Sequence, residues 1–503
     1  MWFFKKTNVR INHIRKTMTA ERHSHFTGLF NTNMIISVLL WLLFVVLCIP
    51  ILAFERIQQG RYAEIIPLSV IVILISTVAG LYIHNYQKRL IANHARVAAI
   101  VGLFIILLAA TKMGVLLGHH TAWATGTAVG AAIILSITYN QRFAIGMSAF
   151  YCLFASFSAG AAASMDLFLI MAVGSFTCCF CLREVRTRMK LLEVSAAAAA
   201  LVMITAVSLD FLKNMNTSDV FKDAGRHALA VFFVGLLIQS LLPLIEKIFK
   251  IATSMTLLDY SDANQPLLKR LAMEAPGTFS HSLLVGSVAE AAATAIGRNG
   301  LLSRVGAYYH DIGKINKPTY FTENQMGQAS RHKELSPAMS QLIIIGHVKD
   351  GTEIAKEYKL PAVLRQFVET HHGTTLVEYF YNQARKRHDG DHVQVAESEF
   401  RYTGPKPRTK EAAIVMLSDT VEGAVRSLAD ITPTKIEAVV HNMAMKRLQD
   451  GQFDECDLSL KELSLIEASI TKTLSAHYHG RIAYPKAPNI PEDMQISDYQ
   501  AEQ

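Results

Sequence analysis

The chain changes character near residue 250. Before it, long apolar runs follow one another across short polar breaks; after it, apolar residues recur at helical spacing among charged ones. The apolar runs cover residues 34–54, 65–83, 97–117, 122–139, 143–163, 167–182, 191–212 and 228–249. Several approach the roughly 20 residues that a helix needs to cross a bilayer. Eight spans are therefore predicted, with 167–182 short enough to be tilted or re-entrant. Residues 250–276 read as a connector. A helix running out of the membrane from Glu246 breaks near 261–266, and Leu257, Leu258, Leu267, Leu268 and Leu271 form one apolar seam. Helical patterns resume over 277–484 and strand patterns stay sparse. The fold class is thus all-α: a polytopic helical membrane domain (34–249) after a basic tail (1–33), then an all-α soluble domain. The stretch 485–503, with Pro485, Pro488 and Pro491 among acids, predicts disorder.

Charge orients the spans. Lys5, Lys6, Arg10, Arg15, Lys16 and Arg22 stand against Glu21 alone in the basic tail, which is too long for a usual signal peptide. With that tail in the cytoplasm, Lys88, Arg89, Arg96, Arg183, Arg186, Arg188 and Lys190 also fall inside, as the positive-inside rule requires. The opposite side receives 55–64, 118–121, 164–166 and 213–227, which carry no comparable basic block. Eight spans return the chain to the cytoplasm, placing the soluble half there. Much of the net charge of +8 is explained by this topology, which argues against a nucleic-acid polymer as partner. Lys112, near the outer end of the third run, is expected to snorkel. Glu193 and Asp210 lie close to span ends, so no carboxylate pattern of an ion-coupled transporter emerges. Cys48, Cys152, Cys178, Cys179 and Cys181 fall in apolar runs and lack zinc spacing.

The chemistry gathers in the soluble half. His281, the pair His310-Asp311, His347, the pair His371-His372 and Asp419 follow in order on short helices. Singly, each has an ordinary explanation, from helix-terminal ion pair to polar turn. Together they supply the imidazoles and carboxylates that suit two divalent ions. An aspartate beside a histidine ligand can bridge two cations. His281 and Asp419 can complete one coordination sphere, and His347, His371 and His372 the other. Such a pair binds one phosphate, generates a hydroxide and stabilises the leaving oxygen, so a two-metal phosphodiesterase is expected.

The same residues resemble the HD phosphohydrolase superfamily, and more closely its seven-transmembrane HD family of PgpH type. The resemblance rests on Pro276 to Ser282 (PGTFSHS), Val305 to Lys314 (VGAYYHDIGK), His347 to Gly351 (HVKDG), His371 to Thr374 (HHGT), Arg401 to Pro407 (RYTGPKP) and Lys410 to Asp419 (KEAAIVMLSD). It implies a multi-pass enzyme of the bacterial inner membrane, its N-terminus and HD domain cytoplasmic, hydrolysing cyclic di-AMP to pApA with two manganese or iron ions. By position it implies His281, His310, Asp311, His347, His371, His372 and Asp419 as ligands, with Asp311 bridging. Lys314 is expected on the substrate phosphate, and Lys349, Tyr402, Lys406 and Arg426 along the dinucleotide. A homo-oligomer is compatible with all of this.

Two departures stand out. The family carries a large extracellular domain after its first span, where this chain has only 55–64. Ser280 precedes His281 where a histidine is expected. Among rivals, the cyclic di-GMP branch should show Gly-Tyr-Pro shortly after the double histidine; here Gly373-Thr374-Thr375-Leu376 follows. Hydrolysis of an alarmone, or nucleotide binding by a non-catalytic receptor, completes the alternatives, although a decayed enzyme should have lost ligands.

Overall fold

The computed structural model describes residues 32–479 apart from 88–89, 91–92, 119–120, 160–164, 183–186, 250, 326–329 and 388–394. Both chain tails read from the sequence lie outside these residues. Two compact units part between Thr256 and Leu257. Among the described residues there are helices, turns and one isolated antiparallel bridge, Leu376 with Arg401, but no strand.

The first unit contains α1 (Thr32–Gln58), α2 (Ile65–Tyr86), α3 (His94–Gly118), α4 (Ala122–Thr138), α5 (Gln141–Ser158), α6 (Met165–Cys181), α7 (Arg188–Leu212) and α8 (Thr217–Phe249). Five of them are long and apolar enough to cross a membrane, while α4 and α6 are shorter apolar helices. α4 is buried continuously from Ala124 to Ser136, so its neighbours form the outer surface of the bundle. Outward-facing Leu39, Val46, Ile66, Leu74, Ile106, Ile204 and Phe233 are each more than half exposed, a surface that suits hydrocarbon. This is a membrane protein.

Three expectations need correction here. Lys112 does not snorkel: it is buried, 3.1 Å from Glu55 Oε1, and donates to the Ser158 carbonyl at 3.2 Å. A partner within the bundle replaces water. Residues 217–227 are not loop but the first turns of α8, whose buried Val220, Ala224, His227 and Val231 keep helical spacing. The connector breaks between Ser261 and Pro266, as expected, and also earlier, after Phe249. There the Glu246 carboxylate accepts from the Thr253 amide at 2.8 Å and the Thr256 hydroxyl at 2.7 Å, which ties off the break. Leu258 is exposed and leaves the seam, while Leu257, Leu267, Leu268 and Leu271 are buried.

The second unit contains α9 (Ser254–Ser261), which begins just before the boundary, α10 (Pro266–Glu274), α11 (Pro276–Ala295), α12 (Gly300–Tyr309), α13 (Pro337–Glu357), α14 (Ala362–Thr370), α15 (Glu378–Arg387), α16 (Lys410–Arg426), α17 (Pro433–Gln449) and α18 (Leu460–His479). Its centre is α16, where Ala412 to Ser418 are buried in an unbroken run, as a helix apolar all round must be. Helix starts follow local chemistry. Asn299, Ser336, Thr409 and Thr432 cap α12, α13, α16 and α17 by accepting from backbone amides, with proline opening α13 and α17.

Candidate metal centre

Five stretches of the soluble unit deliver the candidate ligands to one place. His281 projects from α11 and His347 from α13. His310 and Asp311 end α12, His371 and His372 end α14, and Asp419 sits on α16. Two groups result: His281, His310, Asp311 and Asp419, and Asp311, His347, His371 and His372. Within each, the ligand atoms lie within 4.8 Å of one another. Asp311 belongs to both. Its Oδ2 faces His310 Nε2 at 3.2 Å and His281 Nε2 at 3.7 Å, while its Oδ1 faces His347 Nε2 at 3.3 Å and His371 Nε2 at 3.5 Å. Asp419 Oδ1 lies 3.0 Å from His281 Nε2, and its Oδ2 lies 3.9 Å from His372 Nδ1.

The ring orientations are set from behind. His310, His347 and His371 donate from Nδ1 to the carbonyls of Ala307 (2.6 Å), Ile344 (2.5 Å) and Val368 (3.0 Å), each three residues earlier. His281 donates from Nδ1 to Glu422 at 2.6 Å. A ring whose Nδ1 carries the proton presents a lone pair at Nε2. The Nε2 atoms of His347 and His371 then face each other at 3.1 Å as two lone pairs, an arrangement that calls for a cation. His310 Nε2 and Asp311 Oδ1 are buried with no hydrogen-bond partner, which points the same way. The residues fit a metal.

Electrostatics agree. Burial pushes the carboxyl of Asp311 up, but the charges of His310, which takes a proton on Nε2 where no cation holds it, and of Lys314 outweigh it and hold that group well below the usual carboxylate range. Asp419 is likewise held well below, its burial offset by His281, whose Nε2 lies 3.0 Å away, and by the same proton on His310. Burial, then the neighbouring His371, keeps His372 neutral. Lys314 lies 2.6 Å from Asp311 Oδ2 and 2.7 Å from Glu323 Oε1, a half-buried ammonium fixed between two carboxylates.

The other expected contacts fare differently. Tyr402 stacks on His372 with ring centroids 4.3 Å apart, carried there by backbone bonds from Tyr402 to Thr375 and from Val377 to Phe400. Lys349 is exposed; two residues from His347, it is turned about 200° round the helix. Lys406 lies 3.5 Å from Asp454, and Arg426 3.7 Å from Glu422, so neither is drawn to the ligand groups.

Sequence reasoning missed Glu323, Glu422 and a clamp on the double-histidine turn. Gln452, wholly buried, accepts from the Thr374 amide and donates to the Thr374 hydroxyl, both at 3.0 Å. Arg401 donates to the Thr374 carbonyl at 2.8 Å and pairs with Asp450 at 3.0 Å. Gly373 has φ +51°, and a Cβ there would overlap the Gln452 amide, so the turn needs glycine twice over.

Residues 62–253 match the family model described as a 7TM receptor with intracellular HD hydrolase, a stretch that takes in the seven helices α2 to α8. Residues 278–424 match the HD domain. The chain is 40% identical over 364 residues to the cyclic-di-AMP phosphodiesterase PgpH of Bacillus subtilis (strain 168), covering 71% of this chain and 50% of that protein. It is 38% identical over 362 residues to the protein of the same name in Listeria monocytogenes serotype 1/2a (strain 10403S), covering 71% and 49%. A solved structure of the L. monocytogenes PgpH HD domain in complex with cyclic-di-AMP is 46% identical, with a TM-score of 0.41, over 44% of this chain and 100% of that one. The chain spans about half the length of the curated relatives it matches.

Proposed function

We propose that this chain, which belongs to the seven-transmembrane HD family, is a membrane-bound, metal-dependent phosphodiesterase that hydrolyses cyclic di-AMP to pApA. The observation that carries the reading is the division of Asp311, one oxygen toward each of two histidine-rich groups. Only a bridged pair of cations uses that arrangement fully. His281, His310 and Asp419 would hold one ion, His347, His371 and His372 the other, with manganese and iron both matching the donor set. Such ions supply Lewis acidity, neutralising phosphate charge and making a water acidic enough to attack at neutral pH.

The chain's own residues do the rest. Lys314, fixed by Asp311 and Glu323, offers an ammonium to a phosphate oxygen beside the ligand groups. Tyr402 stacks on His372 and sets an aromatic ring beside the ligand groups. The attacking oxygen approaches the phosphorus in line with the departing 3′-oxygen, and positive charge around Asp311 stabilises that oxygen as it leaves. In the orientation set by the basic loops, the soluble half and N-terminus lie in the cytoplasm of a bacterial inner membrane, where the substrate is dissolved. The substrate assignment follows the activity named for the two PgpH relatives.

The test is turnover by the full chain, loaded with manganese or iron, on cyclic di-AMP beside cyclic di-GMP, an alarmone and deoxynucleoside triphosphates. Clear preference for cyclic di-AMP is expected. Comparable turnover of all four would defeat the assignment.

A further inference from the structure

The first unit holds a second concentration of titratable groups, and the phosphodiesterase reading makes no use of it. At one end of the bundle, α4, α6, α7 and α8 bring together Asp166, Asp210, Lys213, Asp223, Arg226 and His227. His227 is buried on α8, with Nδ1 2.7 Å from the Thr125 hydroxyl and Nε2 3.3 Å from the Thr121 hydroxyl. Its Nε2 also lies 3.7 Å from Asp223 Oδ2. Asp210, on α7, is 4% exposed; its Oδ1 is 3.6 Å from Lys213 Nζ, and its Oδ2 is buried with no hydrogen-bond partner. Lys213 turns chiefly to Asp166 at 2.9 Å, and Arg226 reaches Asp223 at 4.0 Å. The charges of Asp223, Lys213 and His227 all act on Asp210.

Ionisable groups in a membrane bundle are costly and mark function by default. Here three carboxylates face two cations, a net charge of −1, and one proton on His227 cancels it. The threonine hydroxyls suit both states, since a hydroxyl donates to a bare ring nitrogen and accepts from a protonated one. Uptake of the proton therefore breaks no hydrogen bond, while Asp223 and the unpartnered oxygen of Asp210 are in place to attract it.

We infer that this end of the membrane unit is a proton-binding site, centred on His227 and Asp210, that sets the rate of phosphodiester hydrolysis in the soluble unit. The control it exerts rests on the function proposed above, but the proton site itself does not. The route is the chain. α8 runs unbroken from Thr217 to Phe249, and the soluble unit opens at Leu257. Along that length α8 is gripped on two sides: Gly235 leaves no room for a Cβ beside Ser195 of α7, and Val234 packs on Gly126 and Gly130 of α4. A helix held so closely shifts between discrete positions, and protonation at His227 biases which one it takes. With the basic tail and basic loops cytoplasmic, the 213–227 connection falls on the outer side, and the site reads the pH there.

Tryptophan fluorescence tests the site without any activity. The three tryptophans, Trp2, Trp41 and Trp123, all precede the soluble unit, and Trp123 lies between Thr121 and Thr125. Full-length protein in lipid nanodiscs should show a one-proton fluorescence transition between about pH 5 and about pH 8, the range in which histidine titrates. His227→Gln should abolish it, and Asp210→Asn should shift its midpoint. An unchanged transition in both variants overturns the site, and Asp210→Asn decides alone where His227→Gln fails to assemble. In proteoliposomes, with pH fixed on the substrate side and varied on the other, wild-type hydrolysis should change about fivefold, the low end of ordinary coupling. His227→Gln should show no such change. A wild-type rate that ignores the far pH, alongside an intact fluorescence transition, overturns the control. Absence of any hydrolysis of cyclic di-AMP would instead count against the proposed function and leave the fluorescence result standing.

Discussion

The carboxylate of Glu422 lies 2.6 Å from His281 Nδ1, one helical turn beyond Asp419, so α16 supplies both a candidate ligand and the group that orients another. Carboxylates behind metal-bound histidines fix the tautomer and raise ring basicity. Glu422→Gln should therefore lower metal affinity about 10–100-fold while leaving the helix intact. Titration of the metal-free protein with manganese, read by calorimetry, checks it; unchanged affinity would contradict the orienting role.

Asp311→Ala should abolish turnover with the soluble fold largely retained, because both ligand groups lose their shared member. The measurement pairs hydrolysis of cyclic di-AMP with metal content and circular dichroism. Full activity with metal still bound would sink the bridging assignment. Removing metal from the wild type with a chelator should give the same loss, reversed by manganese or iron.

Gln452→Leu should unsettle the double-histidine turn. It strands the Thr374 amide and hydroxyl in a buried site, a cost of about 1–3 kcal/mol in stability. Denaturant unfolding followed by circular dichroism gives that number. Because His371 and His372 sit in this turn, metal affinity should fall as well, whereas a purely structural role would leave it unmoved.

Glu462 provides a pH prediction away from the metal. Its carboxyl is pulled down to about 2 by the hydrogen bond from Lys410, then by the Ser459 amide and hydroxyl. A depressed acid contributes stability that is complete above its unfolded value and disappears as pH falls through its folded one. The contribution should thus be present at neutral pH and vanish between about 4.5, the ordinary value for glutamate, and about 2. Glu462→Gln should make wild-type and variant unfolding midpoints converge over that window; a constant gap down to the lowest pH would refute it.

How far the chain could be read from its residues differs by element. The long apolar runs and the seven His and Asp positions stand out because hydropathy and residue type are local. The first turns of α8 were missed because hydropathy averages over charged residues, whereas Val220, Ala224 and Val231 already carried the helical spacing. That Lys349 faces away from His347 was legible from the angle alone, the two being two residues apart on the same helix. Glu422 leaves a signal as well, since residues three apart share a face and Asp419 is a candidate ligand. Glu323 and Gln452 left none. Each acts across a tertiary contact, on Lys314 and on Thr374, and no spacing rule connects such pairs. The burial of Lys112 was hidden for the same reason: its partner Glu55 lies on another helix.

The order in which the metal-centre residues enter the chain has a consequence for biosynthesis. His281 and Asp419, 3.0 Å apart when folded, are separated by 138 positions, and Gln452 arrives later still. Every membrane helix has left the ribosome by then. A nascent chain is inserted and anchored long before it can gather the side chains of the candidate metal centre. Under the function proposed above, loading with metal would be a late step of maturation, taken by a chain already anchored in the membrane.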